Sequence, residues 1–405
     1  SFIYLLHYIM QKKYSLFVLF FLLCIPFISK ATHIMGGGLY YEYLGINPVN
    51  GKYKYLVSAK VYRYCEPGSA NLNNKLLLGV YNEDPSNPNA TSKTKYGQFN
   101  INRISLTFIQ PPNPGDSCTF LPNVCVQEGY YSGIINLDAS IGGYHLIADE
   151  CCRNGNIVNI NNPTGAGFAF YAFVPPTNIV NNSPVFALPP IPFLCTNDTA
   201  SMLNTAIDPD GDVLIYNFVR PLKGVSVSAP NPTPSPYPWP IPKVNYSAGH
   251  SVFQPLGAAG GTAIDTTTGL TQFFSPFTGF YVVEIEIREF RQGQLIGVSR
   301  RGLQLIFIPC PNNDAPVLSN TPTTYTINES DSICINFSAT DINSDSLFLT
   351  YGGDVFDSTI VNPVATMMFN NDTSLLNVSF CWITNCNTGR TAPYQFFASV
   401  SDNGC

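Results

Sequence analysis

The sequence predicts an all-β protein built of tandem domains, and three observations predict it. Only 11% of the residues are charged, 13% are aromatic, and the chain carries 33 prolines and 31 glycines, a balance poor in helix formers and rich in strand and turn residues. Short stretches alternate apolar with polar side chains between Asn, Pro and Gly clusters, the pattern of half-buried strands joined by turns. Thirdly, the acidic run Asp208-Pro209-Asp210-Gly211-Asp212 returns 133 residues later as Asp341-Ile342-Asn343-Ser344-Asp345, with Ala206 and Leu214 matched by Ala339 and Leu347 around it. Pro184 and Pro316 repeat at an offset of 132. Two landmarks in one register indicate two repeats, each with an acidic loop before a strand.

The elements follow in chain order. Residues 1–31 read as upstream sequence and a signal peptide: Met10-Gln11-Lys12-Lys13 is a basic head, Tyr14 to Ile28 is apolar, and Ser29-Lys30-Ala31 offers small residues for cleavage after Ala31. The run is short for a membrane span, so the mature chain is expected to have none. Cys24 follows Leu23, where a lipidated cysteine needs a small residue. The N-terminal β domain spans 32–176. In it Tyr53, Tyr55, Val57, Ala59 and Val61 alternate with Lys52, Lys54, Ser58 and Lys60, and further strands are expected at Leu76–Tyr81, Ile104–Ile109, Tyr130–Leu137, Tyr144–Ala148 and Gly167–Val174. A sandwich or a barrel accommodates them.

The first repeat spans 182–311 and contains a long hairpin, Tyr281 to Arg288 and Leu295 to Ile308, turning at Arg291-Gln292-Gly293. Glu284 and Glu286 share the polar face of its first strand and read as a solvated surface. Between Pro230 and Pro242 a proline-rich loop carries Tyr237 and Trp239. Proline lacks the N–H a sheet interior needs. These two rings either stack on a sugar or partner, or cover the domain's own core edge. The second repeat, 314–405, is expected to be truncated, with strands at Tyr325–Asn328, Ile333–Ala339, Leu347–Tyr351, Val378–Ile383 and Tyr394–Val400.

Removing the signal leaves 17 basic residues against 26 acidic ones, a net charge of −9, with Arg288, Arg291, Arg300 and Arg301 the only close basic cluster. Nucleic acid is therefore not an expected partner. Eleven cysteines remain after Cys24 departs: Cys65, Cys118, Cys125, Cys151, Cys152, Cys195, Cys310, Cys334, Cys381, Cys386 and Cys405. Scattered between strands of an exported chain they are disulfide candidates, and their spacing does not make the two close pairs of a zinc site. Cys195 and Cys310 lie where a bond could pin the first and last strands of the first repeat. The remaining connectivity is open.

Thr32 to Gly38 with Tyr55 to Cys65, Ile207 to Asp212, Asp265 to Gly269, Glu289 to Gly293, Arg300 to Gln304, Phe380 to Trp382 and Ser401 to Cys405 together resemble the large, secreted, gliding-motility-associated surface proteins of Bacteroidetes-type bacteria, exported by type IX secretion. The resemblance starts at Thr32-His33-Ile34-Met35-Gly36-Gly37-Gly38 and Tyr55 to Cys65, although Gly38 replaces the usual acid and Tyr64 the usual residue before Cys65. It continues through Ile207 to Asp212, Asp265 to Gly269, Glu289-Phe290-Arg291-Gln292-Gly293 and Arg300 to Gln304, and ends with Phe380-Cys381-Trp382 and Ser401 to Cys405. It implies a non-catalytic, multi-domain cell-surface protein whose partners are extracellular glycans or proteins. Asn313-Asp314-Ala315-Pro316 and the acidic loops are also similar to bacterial cadherin-like and immunoglobulin-like β-sandwich repeats, in which such carboxylates gather around Ca²⁺. That resemblance implies Asp208, Asp210 and Asp212 as ligands at the first junction, and Asn313, Asp314, Glu329, Asp341, Asn343 and Asp345 at the second. Calcium takes six to eight oxygens, and an Asp-x-Asx-x-Asp loop supplies several from one turn. The loop is not an EF-hand, because the twelfth position from Asp208 is Val219 where a glutamate is needed. The alternative is that these residues only form hydrogen-bonded turns.

Catalysis is not expected. The mature chain holds three histidines, His33, His145 and His250, none of them in a metal-protease motif, and it has no nucleophile elbow or phosphate loop. His145 and Cys152 as base and nucleophile compete with a strand histidine beside disulfide cysteines. The first function predicted is a structural or adhesive surface protein whose β domains are stiffened by disulfides and Ca²⁺; the second is a carbohydrate-binding module using Tyr237 and Trp239; a third is a secreted hydrolase.

Overall fold

A computed structural model describes residues 34–65, 70–109, 125–190, 193–225, 233–310, 313–319, 322–370, 374–390 and 392–402. The expected signal segment, Cys118 and Cys405 lie outside them. The first region supplies β1 (Ile34–Ile46), β2 (Tyr53–Tyr64), β3 (Lys75–Asn82), β4 (Ser92–Lys93), β5 (Lys95–Phe108), β6 (Val126–Leu137), β7 (Tyr144–Glu150) and β8 (Phe168–Val174). The middle region adds β9 (Val185–Phe186), β10 (Phe193–Cys195), β11 (Thr199–Leu203), β12 (Ala206–Ile207), β13 (Val213–Val219), β14 (Tyr237–Pro238), β15 (Gly261–Ile264), β16 (Leu270–Phe274), β17 (Gly279–Arg291) and β18 (Gln294–Ile308). The last region holds β19 (Val317–Leu318), β20 (Ser332–Thr340), β21 (Phe348–Gly353), β22 (Thr366–Phe369), β23 (Leu375–Ile383) and β24 (Phe396–Ser401). Apart from two single-turn 3₁₀ segments, every described element is a strand. The fold class is all-β, as the sequence predicts.

The largest sheet runs β1-β2-β6-β5-β3-β7-β8-β18-β17-β13. β18 takes β8 at Ser299↔Ala172 and β1 at Gly37↔Gly302 along the same stretch, so the path returns on itself as an eight-stranded ring. The alternation read in β2 packs that ring: Tyr55, Val57, Ala59 and Val61 face inward with Leu39, Leu78, Leu146 and Phe170. Closure needs the glycines of β1. A Cβ on Gly36 would lie 1.9 Å from the Gly302 carbonyl oxygen, and one on Gly37 2.3 Å from that of Lys60. The ladder thus crosses the boundary expected at 176–182, and the N-terminal barrel and the first repeat share β18.

The far half of the hairpin belongs to a sandwich. Tyr281, Val283, Ile285 and Ile287 of β17 pack with Leu305 and Phe307 of β18 against Met202 and Phe273 of the β11-β16-β15 sheet. The hairpin turns at Gln292 and Gly293, whose φ angles of 52° and 78° are those of a two-residue turn matched to strand twist. The last region forms β19-β20-β23-β22 and β21-β24, packed around Phe380, Trp382 and Val355. Tyr325–Asn328, expected as a strand, pairs with nothing, and Tyr325 is 39% exposed. This region touches the first repeat through Gln395, whose Nε2 donates to the Thr267 carbonyl at 3.1 Å.

Candidate metal centre

β12 and β13 are joined by the first acidic loop. Asp208 starts it as an Asx turn: its Oδ1 accepts the backbone N–H groups of Asp210 at 2.9 Å and Asp212 at 3.1 Å. Gly211 supplies the φ of +73° that bends the loop back. Asp208, Asp210 and Asp212 thereby bring carboxylate oxygens within 4.8 Å of one another. The segment entering the repeat closes over them, with Asn182 donating its backbone N–H and Nδ2 to Asp210 at 2.6 and 2.9 Å. From the hairpin, Arg291 donates to Asp212 with Nε at 2.8 Å and Nη2 at 2.7 Å, a bidentate fork.

Glu289, two residues before Arg291, is fully buried and receives Asn181 Nδ2 at 3.2 Å. Its carboxyl meets that of Asp208. With both ionised, Glu289 Oε1 and Asp208 Oδ2 are buried without a donor. Burial first, then the neighbouring Asp212 and Asp210 charges, pushes the Asp208 carboxyl up to about 7. Burial and the Asp208 and Asp212 charges drive Glu289 well above the carboxylate range. Such a group binds either a cation or a proton.

The second loop repeats three of these bonds. Asp345 N–H donates to Asp341 Oδ1 at 3.0 Å, Asp314 N–H to Asn343 Oδ1 at 3.1 Å, and Asn313 Nδ2 to Asp402 Oδ1 at 3.1 Å. Ser344 takes the position of Gly211 at φ +64°. Asp341 is 8% exposed and its Oδ2 has no donor. Among the described residues, however, only the first loop brings three carboxylates within 4.8 Å of one another, and the structure does not gather Asp314, Asp341 and Asp345 into such a group. Glu329 does not join them. It precedes β20 while Asp341 follows it, and its Oε1 instead accepts Gly389 N–H at 2.6 Å. Nine strand residues, at about 3.3 Å each, separate the two. Sequence spacing missed Asn181, Glu289 and Asp402; for Glu289 the signal was the hairpin register, which lays the end of β17 beside the start of β13.

Tyr237 and Trp239 sit on the outer face of the barrel. Tyr237 is 1% exposed, and its hydroxyl donates to Asp149 Oδ1 at 2.9 Å. Its ring is thus committed to the chain's own core and is not available to a sugar. Trp239 packs 4.3 Å from the His145 ring with Lys93 Nζ 4.9 Å from its own. His145 bonds to Glu83 at 2.6 Å and the Tyr171 hydroxyl at 3.0 Å; Cys152 is bonded to Cys151. Glu284 and Glu286, read as solvated, are 4% and 5% exposed and pair with Arg300 at 3.1 and 2.6 Å. Leu222 N–H also donates to Glu284 at 2.8 Å.

Disulfides link Cys65–Cys125, Cys195–Cys310 and Cys334–Cys381 besides the adjacent pair. Cys195–Cys310 ties β10 to the end of β18, as its placement suggested. Among the described residues Cys386 is the one cysteine outside a disulfide, and no helix is long and apolar enough to cross a membrane. Fold and site together define a disulfide-bonded all-β protein with two matched acidic clasps. No family model and no curated protein matches the chain. Among solved structures a marsupial T cell receptor is similar at 9% identity, over 90% of this chain and 96% of that one; its TM-score of 0.15 carries no argument.

Proposed function

We propose that this chain is a non-catalytic structural or adhesive protein of the cell surface, with β modules held rigid by disulfides and by acidic clasps that take a calcium-type cation. The observation that carries the reading is the Cys195–Cys310 bond: it closes 115 residues of chain at the strand on which barrel and sandwich meet. Disulfides so placed persist in oxidising compartments. The paired clasps support the stiffening role, because a cation there would tie each incoming segment to a β-loop and a strand end. The motif resemblance supports a gliding-associated surface protein of the type IX route. Peptide mapping of surface-shaved cells without reductant tests the reading. Linked Cys195 and Cys310 peptides released from intact cells are expected; reduced cysteines in an intracellular pool overturn it.

A further inference from the structure

We propose that the outer face of the β19-β20-β23-β22 sheet is a binding groove for a neutral glycan. The inference rests on the adhesive reading above and names the class of partner that this surface holds.

The groove originates in two triplets of sequence, Asn336-Phe337-Ser338 on β20 and Asn377-Val378-Ser379 on β23. Strand alternation sends Ile335, Phe337, Val378 and Phe380 to the core side. The asparagines and serines between them therefore share the solvent side, where both asparagines are exposed. The antiparallel register sets Asn336 opposite Ser379 and Ser338 opposite Asn377. Cys334 is bonded to the directly opposed Cys381 at the next pair along the same face, which fixes that register. The result is a checkerboard of two amides and two hydroxyls, about 5 Å apart across the strands and about 7 Å along them.

Flanking segments give this floor its walls. Ser319, just after β19, accepts Ser338 N–H on its Oγ at 2.9 Å. Asn370, just after β22, accepts Asn377 N–H on its Oδ1 at 2.6 Å. With Met368 and Phe369 of β22, which are 59% and 44% exposed, they bound a groove of about 650 Å³.

The lining selects the ligand. Among the described residues no charged side chain lines the groove, so a polyanion finds no cation there and an amine or metal ion no carboxylate. Each amide and each hydroxyl both donates and accepts, as the hydroxyl groups of a sugar do. Among the described residues the side chains of Asn336, Ser338 and Asn377 bond to no other residue. Exposed Met368 and Phe369 supply an apolar strip for the C–H face of a sugar ring. A protein-docking patch has the reverse layout, apolar at its centre and polar at its rim.

Native affinity electrophoresis of the chain decides it, in gels carrying laminarin, mannan or hydroxyethylcellulose, with alginate as the polyanion. Retardation by at least one of the three neutral polysaccharides, and none by alginate, is expected. Asn336→Ala combined with Asn377→Ala should weaken that affinity about tenfold, the loss of two hydrogen-bonding side chains. Should this variant fail to fold, as circular dichroism shows, Ser338→Ala with Ser379→Ala tests the same grid. Retardation by none of the three, retardation by alginate, or an unchanged affinity in the variants overturns the inference. A chain mapped to the cell surface but retarded in no gel loses the glycan groove and keeps its structural role.

Discussion

Asn181 donates its side-chain amide to Glu289 at 3.2 Å, and Asn313, 132 residues on, makes the same bond to Asp402 at 3.1 Å. The offset is that of the two prolines that follow these asparagines. A repeat first seen as an acidic spacing is therefore a repeat of one hydrogen-bonded clasp, joining an incoming segment, a β-loop and the end of a paired strand. Changes in that clasp have calculable consequences.

Gly297 faces Glu289 across the hairpin, and a Cβ there would lie 1.3 Å from Glu289 Oε2. Gly297→Ala must push the buried carboxyl out of the clasp. A loss of about 1–3 kcal/mol is expected, as for overpacked cores, measured as a lower urea midpoint. An unchanged midpoint would show that Glu289 is not confined there.

The Cys195–Cys310 bond spans 115 residues and Cys334–Cys381 spans 47. Loop-closure entropy assigns them about 5 and about 4 kcal/mol. Replacing Cys195 and Cys310 together by serine should lower the non-reducing denaturation midpoint of the barrel and first repeat. Equal midpoints for the variant and the wild type would mean that the bond constrains nothing in the unfolded chain.

Much of this architecture was legible because alternation and turn chemistry are local. Val57, Ala59 and Val61 announce an inward face, and Gln292-Gly293 announces a hairpin. What the sequence hid was non-local. The Gly36–Gly38 run is part of strand β1, and the closeness of Gly302 and Lys60 that requires its glycines is invisible in the local sequence. Glu284 and Glu286 read as solvent-facing because alternation says which face a residue is on but not what covers that face; Arg300 pairs with both there and Leu222 N–H reaches Glu284. Glu329 shares a region with Asp341 yet lies past the other end of a strand.

Burial pushes the Asp149 carboxyl up to about 7, against the lowering effect of the Tyr237 hydroxyl bond. The folded state therefore holds a proton that the unfolded chain has released above about pH 4. Stability from this group is full below that pH and is lost as pH rises through about 7, by at most about 4 kcal/mol. Asp149→Asn keeps an acceptor for Tyr237 and removes the titration. Its stability relative to the wild type should grow between pH 5 and pH 8 in urea unfolding. A constant difference across that range would exclude the buried ionisation.

Trp239 separates the two readings of its loop. Its backbone N–H donates to the Thr91 carbonyl at 2.8 Å, while its ring covers His145 and approaches Lys93. As a half-buried core cover, Trp239→Ala should cost about 1–3 kcal/mol, below the loss for a fully buried large aromatic. Tyr237→Phe, which removes the hydroxyl donor from Asp149 Oδ1, should cost about 1–3 kcal/mol. Neither substitution is expected to alter retention on a glycan array, since Tyr237 turns its face to Tyr81, 5.1 Å away, and not to solvent. Stability unchanged in Trp239→Ala, with sugar binding lost, would return this loop to a carbohydrate platform.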